Sequence, residues 1–221
     1  MPLPHPVTAV IINFRTPDLL EHAVASFRTF YPDVPLLLID NGSGDASPAR
    51  MRRYSERAPG IIEVLLNARN LHHGPAMDQA LRHLATTYVF FLDSDAEITR
   101  GGLLEGMFSA VANDARHYAV GKRIFMNKRG FDVAELPGAA PYIRPICMLI
   151  HRERYLHLPP FERHGAPCLR NMAAATGAGY SLLHFPVEEY IHHRGRGTAA
   201  THGYRLGLRG KWNHLLNRLG L

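Results

Sequence analysis

Hydrophobic positions in the first hundred residues follow two alternating rhythms, short unbroken apolar runs and longer stretches with a helical period. Residues 7–13 are β-branched and apolar, as a strand covered on both faces should be. Thr16-Pro17-Asp18 follows, which reads as an N-cap, a proline at the first helical position and an early acid. Leu19, Leu20, Ala23, Val24, Phe27 and Phe30 then recur at helical spacing until Pro32 closes the element. Residues 35–40 form a second apolar run, ending in the turn Asn41-Gly42-Ser43-Gly44-Asp45. The same pattern predicts a helix over 50–57, a strand over 61–66, a helix over 74–86, a strand over 88–93 and a helix over 102–112.

Beyond that point the rhythm loosens. Residues 118–125 and 142–150 read as strands around a loop that carries Lys128, Gly130, Pro137 and Gly138. Residues 172–178 are Ala-rich and predict a helix ending at Gly179, followed by short strands at 180–185 and 190–193. In the tail, 204–219, Leu208, Trp212, Leu215, Leu216 and Leu219 fall near one face, with Arg205, Arg209, Lys211 and Arg218 around it. Alternating strands and helices predict an α/β fold with a mostly parallel central sheet flanked by helices, plus a short basic C-terminal helix. With no repeat, low-complexity tract or linker in view, one domain over 1–221 is expected.

Composition narrows the class. Hydrophobic content of 46% with 20% charged residues excludes a disordered chain as the default. No apolar run approaches the roughly 20 residues that span a bilayer, and the N-terminus lacks the basic and apolar regions of a signal peptide. Cys147 and Cys168 are too few for a disulfide framework, so a reducing cytoplasm is the simpler expectation. A net charge of +6 with 14 further histidines favours anionic partners. The basic residues are dispersed, so nucleic acid is not expected, and a basic soluble surface explains the charge equally well.

The candidate chemistry sits at strand ends. Phe91-Leu92-Asp93-Ser94-Asp95 closes an apolar strand with two carboxylates one residue apart, a pattern that holds a hard divalent cation and through it phosphate oxygens. Alone, such a pair also serves as an ordinary turn cap. Leu38-Ile39-Asp40-Asn41-Gly42 is a second strand ending in an acid and a tight turn, where an aspartate can accept hydrogen bonds from a base or a ribose. Asn70-Leu71-His72-His73-Gly74-Pro75-Ala76-Met77-Asp78 is the third junction; Gly74 and Ala76 would let backbone approach a ligand at a helix start.

In this order, the three junctions resemble the family 2 glycosyltransferases of the GT-A fold, over residues 7–97. The first strand, reaching Asn13 and Arg15, is similar to the strand that ends near the donor in that family. Asp40 to Asp45 is similar to its base-binding turn, Asn70 to Ala80 to its N-x-G-x-G-x-A-x-N-x-G segment, and Asp93-Ser94-Asp95 to its metal motif. His72 stands where a glycine is usual, Asp78 where an asparagine is usual, and Ala80 where the last glycine is usual. The resemblance implies a GT-A-like, Rossmann-like domain with a nucleotide-binding half at 7–100, an acceptor and metal-completing half at 101–200, and the helix at 201–221. It implies a nucleotide-sugar donor, UDP- or dTDP-linked, with Mg²⁺ or Mn²⁺ across the diphosphate. Asn13, Arg15, Asp40, Asn70, Gly74, Asp78, Asp93 and Ser94 become donor-binding candidates, and Asp95 a direct metal ligand. His192-His193-Arg194-Gly195-Arg196-Gly197-Thr198 looks like the segment that completes the metal site. His193 is the better match, although a surface histidine pair in a basic loop remains the alternative. Strand alternation sends His192 and His193 to opposite faces. Arg194 and Arg196 are candidates for the diphosphate, since guanidinium forks suit phosphate.

Inverting transfer needs a carboxylate base, which the family commonly supplies from an acidic pair just before the Ala-rich helix. This chain has no such pair; Glu162 is the nearest carboxylate, with Asp132, Glu135 and His164 as further candidates. The acceptor is expected to be a saccharide or a lipid-linked molecule. The basic tail helix could rest on an anionic membrane or pack on the domain. Two other readings stay open: a catalytically silent nucleotide-sugar-binding module, and a nucleotidyltransferase, which would more naturally carry a Gly-rich loop after the first strand than Asn13-Phe14-Arg15-Thr16-Pro17.

Overall fold

Each apolar run of the first hundred residues becomes a strand of one sheet; Val7–Asn13, Leu36–Asp40 and Tyr88–Asp93 are covered on both faces, and Ile62–Leu66 forms an edge. The computed structural model describes residues 3–111, 114–162 and 165–194. The basic tail helix at 201–221, Arg196 and His164 lie outside the described residues. The elements are β1 (Val7–Asn13), α1 (Pro17–Phe30), β2 (Leu36–Asp40), α2 (Ser47–Arg57), β3 (Ile62–Leu66), α3 (His73–His83), β4 (Tyr88–Asp93), β5 (Ala96–Ile98) and α4 (Leu103–Val111). After these come β6 (His117–Met126), β7 (Asp132–Val133), β8 (Ala140–His151), α5 (Arg152–Leu156), α6 (Leu169–Gly177), β9 (Ser181–His184), a 3₁₀ turn at Val187–Glu189 and β10 (Ile191–His193).

The main sheet runs β3-β2-β1-β4-β8-β6-β7, with β9 beside β6. β3, β2, β1 and β4 are mutually parallel, whereas β8 is antiparallel to both β4 and β6. The mostly parallel sheet flanked by helices is therefore as predicted, with β8 and β7 the reversed strands. Alternation along each strand splits the core into two layers. Val7, Ala9, Ile11, Leu36, Leu38, Phe90 and Leu92 pack with α1, α2 and α4. Val10, Ile12, Leu37, Ile39, Val89 and Phe91 pack with α3, α5 and α6. With apolar side chains fully covered on both sides, at about 1.5–3 kcal/mol each, the register is fixed: a one-residue slip would exchange the two layers.

The elements missed from sequence are short. β5 and β7 have three and two residues, too few to show a period, and α5 is a single turn after β8. One cap also differs from expectation. Thr16 precedes α1 but makes no side-chain capping bond; its hydroxyl donates instead to Asn13 Oδ1 at 2.7 Å.

Candidate functional site

The parallel register brings the predicted strand-end residues to one end of the sheet. Asn13 on β1 pairs with Asp40 on β2, and Ile12 pairs with Asp93 on β4. At about 4.8 Å per strand, Asp40 and Asp93 end strands roughly 10 Å apart across β1. Their faces differ. Asn13 and Asp40 continue the α1 layer and Asp93 the α3 layer, so the site is a crevice with two walls.

On the α1 side, Asp40 is buried, and its Oδ2 accepts the Ser43 N–H at 2.9 Å. Its Oδ1 is buried without a hydrogen-bond partner, and so is Asn13 Nδ2. A buried polar atom left unpaired costs about 1–3 kcal/mol, so two of them on adjacent strand ends need an external partner. Arg15, at φ +58°, fastens the end of β1 to the turn after β2: its N–H donates to Ser43 Oγ and its Nε to Ser43 O, both at 2.9 Å. Gly42 is required here, because a Cβ at 42 would lie 2.4 Å from the Arg69 carbonyl carbon. Asn41 ties this turn to the next loop, donating to Asn70 Oδ1 at 3.1 Å and to His72 O at 3.3 Å.

On the other wall, Asp93, Asp95 and His193 bring one ligand atom each within 4.8 Å of one another. β10 pairs with β5 antiparallel, setting His193 opposite Ala96 and His192 opposite Glu97. His193 Nε2 lies 3.2 Å from Asp95 Oδ1; of the two histidines it is the one that reaches the carboxylates. His73 Nε2 lies 3.6 Å from Asp93 Oδ1. Burial holds the Asp93 carboxyl above the ordinary carboxylate range; His73 pulls it back, and the neighbouring Asp95 pushes it further up. The hydrogen bond to Asp95 raises the His193 imidazole, against the opposing pull of burial. Two oxygens and one nitrogen in this arrangement fit a divalent ion of the Mg²⁺ or Mn²⁺ kind. The buried Cys147 and Cys168 are not part of the group; burial pushes both thiols up, and for Cys168 a hydrogen bond with Tyr142 pulls the other way. Ser94 is buried with its Oγ 3.5 Å from Thr16 Oγ1, which links the two walls.

Several of the predicted site residues have partners within the chain. Gly74 does not offer its backbone to a ligand on its Cβ side, because a Cβ there would lie 1.6 Å from the Glu162 carbonyl oxygen; the glycine serves chain packing. The Asp78 carboxylate accepts from Tyr155 OH at 2.6 Å and from Arg82 Nε at 3.0 Å, so it joins α3 to α5. Asn70 Oδ1 is used within its loop, accepting from Asn41 Nδ2 and, at 2.7 Å, from His72 N. Arg194 is paired through Nε with Glu97 Oε1 at 2.6 Å, and its backbone N–H donates to Asp95 O; it anchors β10. Glu162 is exposed and accepts from Arg170 Nη1 at 2.8 Å. Its main chain lies against Gly74, next to His73, so the residue sits at the rim of the α3 wall.

Sequence reasoning passed over three contributors: His73, Thr16 and the Arg194–Glu97 pair. Only His73 carried a readable signal, as the first residue of a helix that starts at a strand end. A concavity of about 660 Å³ lined by Thr8, Leu36, Arg52, Glu56 and Leu84 opens at the opposite end, where β1, β2 and β3 begin. The carboxyl ends are the better site despite it, for they hold the clustered carboxylates together with the unpartnered Asp40 Oδ1 and Asn13 Nδ2.

Comparison with known proteins bears on the fold and the family. No curated protein matches the chain. Among solved structures, the mannosyltransferase PcManGT from Pyrobaculum calidifontis, in complex with GDP-Man and Mn²⁺, superposes with a TM-score of 0.67 at 18% identity, over 82% of this chain and 55% of that one. GalNAc-T7 with UDP, GalNAc and Mn²⁺ gives a TM-score of 0.69 at 14% identity, over 86% and 44%. TarS 1-349 of S. aureus in complex with UDP-GlcNAc gives 0.63 at 16%, over 90% and 61%. This chain thus spans about half the length of the structures it matches, and at these identities the likeness is one of fold. A family model described as glycosyl transferase family 2 matches residues 8–175. That match takes in β1 through most of α6, with Asp40, Asp93 and Asp95 but not His193, and places the chain in glycosyl transferase family 2.

Proposed function

We propose that the protein is a metal-dependent glycosyltransferase that moves a sugar, with inversion, from a UDP- or dTDP-linked donor to a saccharide or lipid-linked acceptor. The observation that carries this reading is the juxtaposition of the Asp93–Asp95–His193 cluster with the unpartnered Asp40 Oδ1 and Asn13 Nδ2. A nucleotide with its base toward Asp40 would give those two atoms partners and lead its diphosphate across the end of β1 toward the cluster. A divalent ion held by Asp95 and His193, with Asp93 beside it, would supply the positive charge that a departing nucleoside diphosphate needs. Asp93 is placed toward the ribose or sugar side, and Arg15 and Ser94 keep the floor of the crevice in shape. Arg196 is assigned to the diphosphate by its place in the sequence. Glu162 is the proposed base, since it lies at the rim beside His73 and would exchange Arg170 for the acceptor hydroxyl. UDP and GDP in the solved relatives are compatible with a base-binding acid, but the choice of nucleotide belongs to experiment.

One observation favours a second reading, a nucleotide-sugar-binding module without turnover: Glu162 is engaged by Arg170 and no acidic pair precedes α6. A panel of nucleotide-sugars with Mn²⁺, read by thermal shift and by release of free nucleotide, separates the two. Stabilisation with release supports the transferase; stabilisation without release in the presence of acceptors supports the module. If no nucleotide stabilises the protein, both are wrong. Among the described residues no helix is long and apolar enough to cross a membrane.

A further inference from the structure

The two carboxylates of the cluster are flanked by two imidazoles, and only the one from β10 has a role so far. The other belongs to His73. Its Nε2 is 3.6 Å from Asp93 Oδ1, with both side chains about a quarter exposed, 25% and 29%. His73 lies outside the three-residue group whose ligand atoms share one 4.8 Å neighbourhood.

The local backbone delivers this imidazole. His72 has φ +73° and ψ 166°, a conformation that residues with a side chain rarely adopt. Two bonds hold it there: Asn70 Oδ1 accepts its N–H at 2.7 Å, and its carbonyl accepts Asn41 Nδ2 at 3.3 Å. The bend starts α3 at His73, and close packing of Gly74 on the Glu162 carbonyl fixes where that first turn lies. Asp93 completes the geometry, since strand alternation aims it into the α3 layer. A bulky residue is held in a glycine-like turn, and the next side chain points at a half-buried carboxylate.

We propose that His73 is a positioning residue for Asp93: its imidazole, at ion-pair distance from one carboxylate oxygen, restrains that oxygen so that the other is presented to the divalent ion beside Asp95 and His193. The inference rests on the metal reading of the cluster. An imidazole that donates to a metal-binding carboxylate fixes its orientation, and loss of such a partner typically weakens metal affinity about 10–100-fold. Because Asn41 sits in the base-binding turn and also holds the His72 carbonyl, the nucleotide wall and the metal wall share this support.

The test measures Mn²⁺ binding to the protein without nucleotide, by electron paramagnetic resonance of free Mn²⁺, in wild type, His73→Ala and His73→Gln. Nucleotide binding in the presence of EDTA and thermal stability are read alongside. The expected result is a Kd for Mn²⁺ at least about tenfold weaker in His73→Ala and largely restored in His73→Gln, whose side-chain amide can still donate. Metal-free nucleotide binding should stay within about twofold of wild type. Equal Mn²⁺ affinity in His73→Ala and wild type overturns the proposal, as does equal loss in both variants. If wild type binds nucleotide in EDTA but no Mn²⁺, the metal reading itself fails and the inference falls with it, whereas a change confined to the variants concerns His73 alone.

Discussion

His193 Nε2 lies 3.2 Å from Asp95 Oδ1, although 98 positions separate the two residues in the chain. β10, which delivers the histidine, has three residues and pairs only with β5, itself three residues long. Strands this short contribute little stability of their own. The contact therefore depends on the pairing that surrounds it: Ile191 opposite Ile98, His193 opposite Ala96, and Arg194 bonded to both Asp95 O and Glu97.

Replacement of Asp95 by alanine should remove the metal-dependent part of nucleotide binding. At a ligand concentration about 100 times Kd, the wild-type complex should gain about 2.7 kcal/mol, or about 5–10 °C in Tm. The Mn²⁺-dependent share of that gain should vanish in Asp95→Ala. Thermal shift with and without EDTA measures it, and an undiminished Mn²⁺ effect would remove Asp95 from the ligand set.

Asp40→Asn should separate the two walls. Its Oδ1 is the buried acceptor in need of a partner, and hydrogen bonds to charged groups are worth about 1.5–3 kcal/mol. Nucleotide affinity should fall about tenfold or more while Mn²⁺ affinity in the absence of nucleotide stays unchanged. Calorimetric titration of each ligand decides; intact nucleotide affinity would place the base elsewhere.

Gly74→Ala should be costly for stability before it is costly for chemistry. The added methyl would sit 1.6 Å from the Glu162 carbonyl oxygen, and backbone on both sides must move. A loss of about 3 kcal/mol in urea unfolding is expected. A near-neutral effect would show that the strand-to-helix junction is looser than its geometry.

Acid should weaken the fold through His151. Burial, with the charge of Arg154 adding to it, holds this imidazole below its ordinary value of 6.5, while Glu153 pulls the other way and the nearby His5 reinforces the lowering. Its Nδ1 is buried and unpartnered. Below pH 6.5 the unfolded chain takes up the proton first, so the stability tied to neutral His151 is present above that value and lost as pH falls through the lower folded one. Unfolding free energies of wild type and His151→Phe, measured between pH 7.5 and about 5, should show the wild type losing more. Parallel curves would mean the shift is absent. Protonated His193 favours the fold with the opposite sign, but it is present in both proteins and cancels in the difference.

Glu162→Gln tests the base. Donor binding should be retained while transfer falls at least about 100-fold. Undiminished transfer would assign proton abstraction to another group; Asp132, salt-bridged to Arg144, is the next carboxylate to try.

What the sequence determined follows from local rules. Unbroken apolar runs at 7–13, 35–40 and 88–93 had to be strands with two covered faces, and all three are. Parallel pairing of such strands puts their terminal acids at one end, so Asp40, Asp93 and Asp95 were legible as a site before any coordinates. The tertiary structure decided what depends on contacts far apart in the chain. It chose His193 over His192, because the register of β10 on β5 is set by a strand too short to read from a period. It gave Gly74 and Asp78 packing partners, the Glu162 carbonyl and Tyr155, that lie more than seventy residues away and so leave no trace in the local pattern. It also brought His73 to Asp93, since an imidazole in a sequence carries no direction until a backbone bend, held here by Asn41 and Asn70, gives it one.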